Sequence, residues 1–345
     1  MRTSRVFLLP LMLSTVLLAQ SNDTGTAHKA AATALLNSNN TGAAHLACPA
    51  TINPSGTGPA ATANSPAGPG RAGGPPGGRG GDGKGGGRGP AAVPPKENWY
   101  AEGGQVFDNL YMLTTKVNSA WAVKTSQGII LIDTLFGYAA QDAIIDGMKK
   151  VGLNPADIKY IIVSHAHGDH DGAVKFLQDT YNPHIIMGAK DWELSAREAD
   201  PPRHDMEATD GQKLTLGDTT VTIYITPGHT AGTLSVLVPV KDHGQPHMAM
   251  EWGGTALSAA TSKEMLESYI SNAKRFKDIT DGTGADVIIG NHTEYNDALN
   301  RMERTRARKA GEPNPWIVGK GEVEKYLTVV QECAESWLAI GAGRP

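Results

Sequence analysis

The densest chemistry in the chain lies at Ser164-His165-Ala166-His167-Gly168-Asp169-His170-Asp171-Gly172, which puts three imidazoles and two carboxylates into seven positions. Imidazole nitrogen and carboxylate oxygen are the donors that hold zinc, and a catalytic zinc keeps one position free for water. His165 and His167 are two apart, so in extended backbone they project to the same side and can grip one ion. Asp169 and His170 follow where Gly168 and Gly172 let the chain turn, placed for a second ion beside the first. The competing reading is a solvated polar loop with chance histidines, and the density of donors argues against it.

Such a cluster needs a rigid base. The β-branched run Ile161-Ile162-Val163 reads as the end of a buried strand, Tyr160 to Val163, so the donors fall on the loop where scaffolds usually present chemistry. The arrangement recurs twice. The strand Thr219 to Ile225, second of a hairpin with Lys213 to Leu216, leads into Thr226-Pro227-Gly228-His229, and Val287 to Ile289 leads into Gly290-Asn291-His292. Upstream, Trp121 to Val123 and Ile129 to Ile132 read as strands about the turn Ser126-Gln127-Gly128, with Asp133 closing the second. Helical spacing over Tyr138 to Val151, with Gly152 as its stop, and helices at Ala173 to Asp179 and Asp191 to Arg197 alternate with the strand His184 to Met187. That alternation predicts a mixed sheet with helices on its face.

Leu234 to Val240 and His247 to Met250 are further strands. Thr261-Ser262-Lys263-Glu264 resembles a capping box that opens an amphipathic helix, and Val323, Tyr326, Val330, Ala334 and Trp337 mark a long C-terminal helix packed on the outside. His204, in the polar loop Asp200 to Asp210, and His243 and His247, flanking a turn, are expected at the surface.

Taken in order, Leu131-Ile132-Asp133-Thr134, His165-x-His167-x-Asp169-His170, Thr226-Pro227-Gly228-His229-Thr230-Ala231-Gly232 and Gly290-Asn291-His292 make a series that resembles the metallo-β-lactamase superfamily over roughly residues 100 to 310. The resemblance implies an α/β, four-layer αββα fold and two zinc ions per chain. The first would rest on His165, His167 and His229, and the second on Asp169, His170 and His292. It implies hydrolysis by an activated water, with Asp169 also catalytic, orienting that water or passing on its proton. It gives Asp133 a supporting role, although as a lone carboxylate Asp133 reads equally well as a strand-end turn former. Imidazole and carboxylate also accept iron and manganese.

One departure narrows the substrate class. Many hydrolases of the family carry a bridging aspartate in a Gly-Asp-Thr segment, and others a cysteine, where this chain has Gly253-Gly254-Thr255. In that respect it is similar to the third subclass of metallo-β-lactamases, which implies a β-lactam amide as substrate. A lactone or another acyl substrate is the alternative among enzymes, and a non-catalytic extracellular zinc-binding protein the alternative of another class. Thr255 and Ser258 are candidate substrate contacts, and Glu251 is a further carboxylate that could reach the ions.

The remainder of the 345 residues bounds this reading. Residues 1–21, with Arg2 and Arg5 before an apolar core and Ala19-Gln20-Ser21 after it, have the layout of a secretory signal peptide, which places the mature protein in the periplasm or outside the cell. Residues 22–96 hold almost no large apolar side chains and are expected to form a disordered tether, with residues 97–345 as the catalytic domain. Within the tether, Pro66 to Pro90 contains 13 glycines and four basic residues, but no aromatic residue to stack on bases. That lack and a net charge of −4 argue against a nucleic-acid partner and leave a small molecule as the expected one, with no membrane span. Cys48 lies in the tether, and Cys333 is expected to pack as a small hydrophobe, a disulfide between them being the alternative.

Overall fold

A computed structural model describes residues 27–28 and 93–341. The proposed signal peptide, nearly all of the tether and Cys48 lie outside the described residues. After a short helix α1 (Lys96–Trp99), strands β1 (Gly104–Phe107), β2 (Leu110–Thr114), β3 (Ser119–Thr125) and β4 (Gly128–Ile132) form an antiparallel run. The chain then crosses over through 3-10 and π turns into α2 (Asp146–Lys150) and returns as β5 (Ile158–Ile162), parallel to β4. Helix α3 (Val174–Tyr181) leads to β6 (His184–Met187), and α4 (Ala189–Ser195) leads to the short β7 (Met206–Glu207). These seven strands lie in sequence order in one mixed sheet.

The second sheet has the order β12-β11-β10-β9-β8. It comprises β8 (Gln212–Leu216), β9 (Thr219–Ile225), β10 (Leu234–Asp242), β11 (Gln245–Glu251) and β12 (Val287–Ile289). Helix α5 (Lys263–Thr283) precedes β12, and α6 (Ala298–Ala307) and α7 (Lys320–Ala339) follow it.

Side chains alternate across each strand, which decides how the layers stack. In β4, Ile130 and Ile132 face a core shared with Val221, Ile223, Val236 and Val238 of the other sheet. Ile129 and Leu131 face the opposite way, toward Ile144, Met148 and Leu177 of the helices. The outer face of the second sheet, with Leu237, Met250 and Ile288, is covered by Leu266, Tyr269 and Phe276 of α5 and Val323, Leu327 and Val330 of α7. The order is therefore helix, sheet, sheet, helix, as expected, and strands buried on both faces read as unbroken apolar runs for this reason.

Ser262 caps α5, its Oγ accepting from Met265 N at 3.2 Å, and Gly284 ends the helix at φ +72°, a left-handed conformation that suits glycine. Among the described residues no helix is long and apolar enough to cross a membrane.

Three expectations are qualified by the structure. Cys333 is fully buried in the core beneath α5 and α7, as expected, and is disulfide-bonded. His28, from the stretch expected to be a tether, sits in helical backbone with its Nδ1 2.6 Å from Glu332 and 3.0 Å from Glu335 of α7. His247 is partly buried and paired with Asp286 at 2.6 Å, so it is not a free surface residue.

Candidate metal centre

The three strand-end loops meet at one edge of the two stacked sheets. β5 delivers His165 to His170, β9 delivers His229, and β12 delivers His292. One ligand atom from each of His165, His167 and His229, and one from each of Asp169, His170 and His292, come together in two groups, with the atoms of each group within 4.8 Å of one another. Residues up to 122 positions apart meet here: His170 Nε2 lies 3.2 Å from His292 Nε2 and 3.2 Å from Asp169 Oδ2, and His229 Nε2 lies 3.0 Å from His167 Nδ1.

The protein sets which nitrogen of three of the rings faces inward. His165 Nδ1 lies 2.8 Å from Gly253 O, His229 Nδ1 lies 2.6 Å from Ala256 O, and His170 Nδ1 lies 2.9 Å from Asp133 Oδ2. A carbonyl or carboxylate oxygen only accepts, so each Nδ1 carries a proton and donates it. In a neutral ring, Nε2 is then left with a lone pair that faces the other donors of its group. Imidazole nitrogen and carboxylate oxygen converging from three side chains are the donor set zinc takes. The residues present therefore fit two zinc ions, three protein donors each.

Electrostatics divide the two groups. Burial and the neighbouring imidazoles push His165 well down, and burial pushes His229 down to about 4. Burial opposes charge on His170 as well, but the carboxylates of Asp169 and Asp133 outweigh it and raise its pKa well above 6.5. Asp169 responds in the opposite sense. Burial raises it, yet the charge and hydrogen bonds of His170 and His292 hold it far below the usual carboxylate range.

Asp133 is fully buried at φ +60°, takes Ser164 N at 2.7 Å and Ser164 Oγ at 2.8 Å, and so ties the β4 loop to the cluster loop while orienting His170. The supporting role wins over the turn-former reading. Thr255 does not meet its expectation as a substrate contact, because it is buried and its hydroxyl is engaged with Tyr326 OH at 2.9 Å. Ser258 is exposed, its Oγ accepting from Ala260 N at 3.2 Å. Glu251 joins neither donor group. It is buried at the end of β11, where burial and the nearby Asp133 carboxylate push it well up and favour the neutral acid. His204 is half exposed and stacks on Trp192, 4.6 Å between ring centres.

Several supporting residues carry no signal in the sequence. Asn118, in the β2–β3 loop, donates to Asp169 Oδ2 at 3.0 Å. Asp191, in the first turn of α4, accepts from Ala166 N, Thr230 Oγ1 and Gly232 N at 2.8 to 3.0 Å and so joins two donor loops. Gly254 explains the missing aspartate: a Cβ built there would lie 2.4 Å from Cβ of His229, so no side chain fits without moving that ligand.

Residues 113–243 match the sequence profile of the metallo-beta-lactamase superfamily. BJP-1, described as a subclass B3 metallo-beta-lactamase of Bradyrhizobium japonicum, is 30% identical, with a TM-score of 0.58 over 68% of this chain and 94% of its own. This chain belongs to the metallo-beta-lactamase superfamily. Among curated members, the lactamase-like protein adaB of Aspergillus niger is 27% identical over 55% of this chain and 60% of its own. The N-acyl homoserine lactonase AttM of Rhizobium johnstonii is 25% identical over 42% and 62%. The chain thus spans about three fifths of the length of these curated members of the superfamily.

Proposed function

We propose that this chain is a secreted or periplasmic dizinc hydrolase that opens the amide bond of β-lactam rings. The observation carrying the reading is the pair of convergent donor groups beside a loop, Gly253-Gly254-Thr255, that offers neither a bridging carboxylate nor a thiol and has no room for one. The likeness to BJP-1 over nearly all of that chain supports the substrate class.

Zinc held by His165, His167 and His229, and by Asp169, His170 and His292, would supply Lewis acidity toward the scissile carbonyl and acidify a water toward neutrality. The chain's own part is to fix geometry. Asp133, Gly253 O and Ala256 O lock three rings in the tautomer that presents Nε2. Asp169, ionised and anchored on one oxygen by Asn118, is placed to orient the attacking water or to pass on its proton.

Lactone hydrolysis is the second reading, favoured by the similarity to AttM, which is named for that activity. Turnover of penicillins, cephalosporins, carbapenems and acyl lactones, each with and without chelator, separates the readings. Chelator-sensitive β-lactam hydrolysis is expected. Lactone turnover alone would overturn the substrate assignment, and bound zinc without any hydrolysis would point to a binding protein.

A further inference from the structure

The loop after β11 supplies the carbonyls that orient two rings of the first donor group, yet it belongs to no strand or helix. Its position must be imposed from outside. Thr255 lies between those carbonyls in sequence, and two hydroxyls from different helices hold it. Tyr326 OH of α7 lies 2.9 Å from Thr255 Oγ1, and Tyr269 OH of α5 donates to Thr255 O at 3.1 Å while accepting from Trp252 Nε1 at 3.0 Å. All four residues are buried, with Tyr326 4% exposed and the other three 1% or less. With water excluded, each bond has no substitute partner.

We propose that Tyr326 is a positioning residue for the first donor group, acting through Thr255 and the loop Gly253–Ala256. The inference rests on the metal reading above. It reaches the second group little: His170 is oriented by Asp133, and Asn118 approaches His292 at 3.4 Å. Within the first group, Gly253 O has a second anchor in Asn291 Nδ2 at 2.9 Å, whereas Ala256 O binds His229 at 2.6 Å. The effect of releasing Thr255 therefore falls mainly on His229, against which Gly254 of the same loop is pressed.

The test uses the full chain with Tyr326→Phe, which keeps the ring and removes only the hydroxyl. Long-range nitrogen-15 NMR of the metal-free protein reads the imidazole tautomers. In the wild type His229 is expected as the Nδ1–H form, and in the variant as a mixture, with His170 unaltered. Zinc titration should show about a tenfold loss at the first site, the lower end for partners outside the ligand set, and little at the second. Thr255→Ser should behave as wild type and Thr255→Val should reproduce the tyrosine variant. If Tyr326→Phe does not fold, the threonine pair supplies the same comparison. An unchanged His229 tautomer with unchanged first-site affinity overturns the proposal, as does equal loss at both sites. Absence of zinc binding in the wild type would defeat the metal reading alone, because the tautomer measurement needs no metal.

Discussion

Replacing Asp133 by Asn tests the architecture most directly, because it removes one charge and one acceptor while keeping the shape. Asn tolerates positive φ, so the +60° backbone at this position is not the source of the effect. In the native chain Oδ2 accepts from both His170 Nδ1 and Ser164 Oγ, at 2.9 and 2.8 Å, while Oδ1 accepts from Ser164 N at 2.7 Å. A carboxamide oxygen can serve one side only, and its NH2 then faces donors. His170 relieves the conflict by moving its proton to Nε2, the atom that would bind metal. A hydrogen bond to a charged group contributes about 1.5–3 kcal/mol. On the scale where ~1.4 kcal/mol is tenfold, that is roughly 10- to 150-fold in affinity. Competition titration with a chromophoric chelator should show the second site weakened by about that factor and the first changed little. Equal loss at both sites, or retained second-site affinity, would refute the reasoning.

His292→Ala should empty the second site and leave the first, as read by zinc stoichiometry; parallel loss would contradict the division of ligands. Acidification should release the two ions unequally, because zinc must displace a proton from His170, whose pKa lies well above 6.5, but none from His229 until about pH 4. Titrations across this range should therefore show the second site weakening from above pH 6.5 downward while the first persists, and identical pH slopes would count against it. Gly254→Asp, which restores the aspartate of other family members, should lower first-site affinity by displacing His229, 2.4 Å from the new Cβ, rather than add a bridging ligand. Tighter zinc binding in that variant would overturn the steric argument.

Much of the site was legible in the sequence because metal ligands are few in type and sit directly after apolar strands. The positions of His165, His167, Asp169, His170, His229 and His292 stood out in the sequence, the family resemblance implied their sorting into two groups, and the structure brings each group's donor atoms within 4.8 Å of one another. The stretch Ile129–Ile132 and the run Ile161-Ile162 that ends β5 were readable because burial on both faces leaves no alternation to misjudge. Less was visible elsewhere. β1, β2 and α6 were not anticipated, α6 because Arg301, Glu303, Arg304 and Arg306 dilute its apolar stripe. Thr255 looked like a substrate contact only because its neighbours in sequence were near the metals.

From the order of residues alone follow the donor types, their spacing within each loop and the strands that deliver them, since all of these are local properties of the chain. Only the tertiary structure decides which proton His165, His170 and His229 keep. That choice belongs to acceptors on distant segments, Asp133, Gly253 and Ala256, and to hydroxyls on α5 and α7. A hydrogen bond depends on distances of a few tenths of an ångström between atoms, and no spacing along a sequence encodes that when the partners lie scores of residues apart.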